Sequence, residues 1–149
     1  MKVLDIFIIS TIRPLLVVFG IATSLTLLFA IDINLLTPMF GGRVDYTPSS
    51  VPALRHWGIM VFGIGVLMVI AAFRPWLRFE TMLFSTVEKA FMVYLFISNI
   101  GQSWATGYLL PFLLDGTITA YGVLYFISNQ GRPQRWIAKS TLDQGPGVS

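Results

Sequence analysis

Three ionisable residues stand where ionisable residues are rare: Glu88 and Lys89 interrupt one long apolar run and Asp115 interrupts the next. A charge at mid-membrane costs at least ~2.5 kcal/mol even on the lenient insertion scale, so such groups face a bundle interior, pair, or carry a proton. The chemistry open to them is a charge network that fixes helix register, a proton relay, capture of the amine of an amphiphile, or a hydrogen bond to a quinone carbonyl. The polar positions around them follow a three-four spacing, Ser85, Glu88, Met92, Leu95, Asn99 and Gln102, and so share one helix face. Glu88, Lys89, Asn99, Gln102, Asp115 and Arg13 are therefore the candidate ligand or proton-site residues. His56, between Arg55 and Trp57, is placed at the outer interface to meet a headgroup or an external ligand.

Depth arithmetic at 1.5 Å per residue puts Glu88 about 13 Å from the boundary near Phe79, and Arg13 at the same depth if its helix starts near Leu4. Arg13 is the expected partner of Glu88. Asp115 falls about 12 Å from the opposite boundary, so the two acids are not expected to form a dyad, while Lys89 can stretch outward toward Asp115.

What the chain lacks narrows the chemistry further. It has no cysteine and one histidine, so it holds no thiol nucleophile, iron-sulfur ligand set, Cys-built zinc site or self-sufficient haem ligation. No metal site and no catalytic residue is predicted. Of its 149 residues 55% are apolar and only 11% charged, against roughly 25% charged in an ordinary soluble domain. An integral membrane protein is the consequence, with no nucleic-acid partner expected.

The elements that must position these residues are four apolar runs, each near the ~20 residues that cross a bilayer core. They span about 5–36, 56–73, 79–103 and 108–127, with an external loop 37–54 and a cytoplasmic tail 129–149 of irregular structure. The fold class predicted is all-α: a polytopic membrane protein, one domain over 1–149, with four transmembrane helices in an up-down bundle. Asp5 in the would-be positive region and Arg13-Pro14 within the apolar run argue against a cleaved signal peptide. Lys2, Arg74, Arg78, Arg132, Arg135 and Lys139 fall on one side, against Arg43 and Arg55 on the other. The excess places both termini in the cytoplasm, across a bacterial inner membrane. Trp57, Trp76, Trp104 and Trp136 all fall at predicted span ends, where indole rings favour the headgroups. Gly58, Gly65 and Ala72 recur every seven residues and predict a close packing face, matched by Ala22, Thr26 and Ala30 in the first run.

Four helices with an external loop after the first, Arg55-His56-Trp57-Gly58 opening a glycine-rich second helix, the Ala71-Ala72-Phe73-Arg74-Pro75 exit and the Glu88-Lys89 third helix together resemble the DoxX-like membrane proteins over residues 5–128. That resemblance implies a fold more than an activity, and an association with quinone-linked oxidation; no catalytic residue is carried over from it. The function expected is a non-enzymatic auxiliary or scaffold subunit, with membrane lipids and other membrane subunits as partners, packing on a larger and quinone-linked or energy-converting complex. The alternative is a module that binds or transports a small molecule, lipid or quinone through the intramembrane acids; the sequence names no cofactor, and a bound lipid or quinone is the candidate.

Overall fold

The computed structural model describes residues 3–35, 37–40, 46–103 and 105–128. The middle of the loop, Trp104 and the tail 129–149, on which part of the topology reading rests, lie outside the described residues. Helices α1 (Val3–Ser24), α2 (Leu27–Ile31), α3 (Val51–Phe73), α4 (Arg78–Ser98) and α5 (Leu109–Ile127) are joined by short 3-10 turns, and no strand occurs among the described residues. Four stretches are long and apolar enough to cross a membrane: Val3–Ile31, Val51–Phe73, Pro75–Ser98 and Ala105–Ile127. The chain is an all-helical polytopic bundle.

Three boundaries differ from expectation, each for a local reason. The first run breaks between α1 and α2, where the amides of Leu25 and Thr26 tighten onto the Ala22 and Thr23 carbonyls and the Thr26 hydroxyl also donates to Thr23 O at 2.8 Å. Helix α3 begins at Val51, not His56, because Pro52 in its first turn needs no N–H partner there and does not break it. Helix α4 ends at Ser98, not Ser103. The Ser98 hydroxyl donates to Tyr94 O and the Asn99 amide to Leu95 O, both at 2.8 Å, so side chains take carbonyls that a continuing helix would use.

Neighbouring helices pair as α1 with α3 and α4 with α5. The first pair meets along a glycine seam. A Cβ on Gly65 would stand 2.5 Å from Ser24 Oγ and 2.7 Å from the Gly20 carbonyl, and one on Gly58 would stand 2.8 Å from the Thr26 carbonyl. Without side chains at these points the backbones close to van der Waals contact, the main source of helix association in lipid. Ala72 completes the stripe, 1% exposed. In the second pair Gly122 receives Thr86, which any side chain at 122 would strike.

The two pairs join at the end that holds the α3–α4 turn. There Ile8, Ile12, Leu16, Met68 and Met82 form the core, packed with Ile118, Tyr121 and Tyr125. Arg78 caps α3 by donating to the Ala71 and Ala72 carbonyls at 3.1 and 3.0 Å, a cation at the negative end of the helix dipole. The Thr11 and Tyr121 hydroxyls meet at 3.0 Å and tie α1 to α5. A second, smaller cluster closes the opposite end, with Phe29 and Ile33 packed by Leu28, Val51, Leu54 and Trp57. Large apolar side chains also face outward: Phe84, Val87, Phe91 and Tyr94 on α4 are all about 60–70% exposed, while the buried face of α4 carries Thr81, Ser85, Thr86 and Lys89 beside Met82.

Candidate intramembrane binding site

Between the core at one end and the cap at the other, the two helix pairs do not fill the space. Lys89, on the buried face of α4, is 4% exposed. Its ammonium lies 3.1 Å from Glu88 Oε2 and 3.1 Å from Asp115 Oδ1, so one cation bridges two carboxylates from adjacent helices. The reach to Asp115 matches expectation, but the separation of the acids does not. The long Lys89 stem spans the difference in depth, so its ammonium reaches Asp115 while staying 3.1 Å from Glu88. Adjacent Glu88 joins through the flexibility of the lysine stem, although the two side chains leave the helix about 100° apart.

Arg13 is not the partner of Glu88. Its guanidinium sits over the Phe73 ring, 4.8 Å from the centroid, on the outer surface near the α3–α4 turn. Equal depth does not imply equal azimuth: α1 presents Ile12 and Leu16 to the core and turns Arg13 outward, where its long stem carries the charge along an aromatic face.

The ion cluster opens on a cavity of about 80 Å3 among α1, α2, α3, α4 and α5. Phe19, Phe29, Trp57 and Ile118 supply its apolar walls, Thr23 and Thr26 its hydroxyls, and Lys89 with Asp115 its charged floor. A second cleft of about 220 Å3 lies on the other side of Asp115 and is lined by Asn99, Tyr108 and the stacked rings of Phe96 and Phe112, 4.2 Å apart. Asp115 thus borders both spaces. Asn99 reaches the site, as its spacing suggested, though from the end of α4 where its amide is engaged with Leu95 O. Gln102 does not: it is exposed in the turn beyond the helix, because the three-four spacing lapses at Ser98. His56 is exposed in the second turn of α3 and lines neither cleft.

Of the buried hydroxyls on α4 and α5, the spacing singles out Ser85 but not Thr86 or Thr119. Ser85, Thr86 and Thr119 each bury a side-chain oxygen without a hydrogen-bond partner, as does Glu88 at Oε2, whose contact with Lys89 is ionic. Ser85 precedes Lys89 by one turn and Thr119 follows Asp115 by one turn, a spacing that could have flagged Thr119 as well. Such oxygens are costly unless water or a ligand reaches them. Sequence reasoning also missed Gly20, although Gly20 and Ser24 form a small-residue pair one turn apart in the first run. No cluster of three or more His, Cys, Asp or Glu side chains suited to a metal occurs among the described residues.

Compared with known protein families, with curated proteins and with solved structures, the chain matches none.

Proposed function

We propose that this integral membrane protein holds a small, mostly apolar molecule in the cleft between its two helix pairs, with the polar end of that molecule at Lys89 and Asp115. The observation that carries this reading is the charged floor of Lys89 and Asp115 inside a cavity whose walls are otherwise mostly apolar. Binding sites for small molecules have this composition, a few convergent polar groups in an apolar lining. A purely structural charge network would not leave open space beside it, nor four buried oxygens without hydrogen bonds on the same two helices. The basic-residue bias supports a bacterial inner membrane with both termini cytoplasmic. The test is mass spectrometry of the protein extracted in mild detergent. A small molecule should co-purify and be lost from Ala22→Phe, which grows a ring into the cleft from α1. Equal retention by both proteins would refute the site.

The reading as an accessory subunit of a larger membrane complex rests on one observation, the aromatic face of α4 at Phe84, Phe91 and Tyr94, which no described helix covers. A stoichiometric partner in the same preparation, released by Phe91→Ala, would favour it.

A further inference from the structure

We infer that the occupant of the cleft is an organic cation, an amphiphile with an ammonium head, and that it enters in exchange for one proton; this rests on the binding reading above. The argument is a charge count. Glu88 and Asp115 each bring a negative charge and Lys89 one positive, so the cluster, fully ionised, carries one negative charge in excess. Among the described residues no other charged side chain lines either cleft: α1 contributes Thr23, the α1–α2 junction Thr26, α3 Trp57 and Val61, and Tyr108 adds a phenol on the far side of Asp115. An unbalanced charge at this depth is the costly case. Two species can balance it, a proton on one carboxyl or a second cation in the cleft.

An anionic head would double the excess. A neutral carbonyl would leave it in place and compete for an ammonium already shared by two carboxylates. A cation removes it, and the walls suit one, since Phe19, Phe29 and Trp57 present aromatic faces to its methyl groups and to its apolar body. The exchange balances: the protonated carboxyl and the free organic cation become a carboxylate–cation pair plus a released proton. Lys89 bridges the two carboxylates throughout.

The experiment uses the purified chain in a non-ionic detergent with weak buffer and a pH-indicating dye. Hexyltrimethylammonium is the probe, with hexanesulfonate and hexanol as matched anionic and neutral chains. Hexyltrimethylammonium has no proton of its own to lose, so release approaching one proton per chain, binding that strengthens as pH rises, and silence from the sulfonate are expected. Asp115→Asn leaves the cluster neutral, so it should keep its fold, release no proton and bind the cation at least about tenfold more weakly, about 1.4 kcal/mol. Should Asp115→Asn fail to fold, Ala22→Phe supplies the second measurement, blocking binding with the ions intact. Binding of hexanol or hexanesulfonate without the cation would overturn the cation inference and leave the cleft reading standing. Binding of none of the three would overturn both.

Discussion

A single methyl group at Gly65 should loosen the whole α1–α3 pair. The Cβ of Gly65→Ala would stand 2.5 Å from Ser24 Oγ, 2.6 Å from the Ser24 amide nitrogen and 2.7 Å from the Gly20 carbonyl oxygen. Comfortable carbon contacts begin near 3.5 Å, so α1 would have to retreat by roughly 1 Å and forfeit a quarter to a half of each dispersion contact along the seam. Overpacking of this kind costs typically about 1–3 kcal/mol, offset by up to about 1 kcal/mol from the better helix propensity of alanine. A net loss of about 1–2 kcal/mol is expected. Gly63 provides the control, since a Cβ there meets nothing within 4 Å and Gly63→Ala should be neutral or slightly stabilising. Ser24→Ala should not rescue Gly65→Ala, because it removes the nearest atom but leaves the two backbone atoms behind it. Unfolding followed in mixed micelles, with denaturing detergent titrated against mild detergent, measures all four proteins. If Gly65→Ala and Gly63→Ala unfold at the same point, the close seam does not exist.

The charge pairs give a second set of expectations. Lys89→Met, which leaves the Glu88 and Asp115 carboxylates without their shared cation, should cost about 3–5 kcal/mol, whereas Asp115→Asn, which leaves Lys89 paired with Glu88, should cost much less. Arg13→Met with Glu88→Gln should instead be additive within about 0.5 kcal/mol, because Arg13 sits on Phe73; a large coupling energy would contradict that placement. Topology is testable in this cysteine-free chain: an impermeant maleimide on intact cells should label a cysteine at Thr47 and spare one at Lys139, and the reverse pattern would invert the orientation.

The four spans were legible because apolar length is a property of the chain itself, and the Lys89–Asp115 pair was legible because a buried charge demands a partner within reach. The Arg13–Glu88 pair was misread because depth along a helix follows from counting residues, whereas rotation about the helix axis follows from packing. Here Ile12 and Leu16 turn Arg13 outward. Gln102 was misplaced because the pattern of α4 continues past its end; Ser98 and Asn99 stop the helix by binding its carbonyls, a local competition that hydrophobic periodicity does not register. Gly20 was overlooked because a lone glycine in an apolar run is informative only when its counterpart, Gly65, is known to face it.

The unequal division of charge between the two helix pairs bears on how the protein reaches its membrane. The α1 and α3 spans are distinctly more apolar than those of α4 and α5, and either can partition from a translocation channel into lipid by itself. Helix α4 cannot do so as readily, because Glu88 and Lys89 lie near its middle, and α5 carries Asp115. Each becomes acceptable to lipid once Lys89 has met Asp115, so α4 should wait at the channel until α5 has been synthesised and the two depart as a hairpin. A nascent chain halted with only α4 outside the ribosome should then remain crosslinked to the insertion machinery, and release only when α5 follows. In that order of events the ion pair is a ticket of entry to the bilayer before it is part of any site.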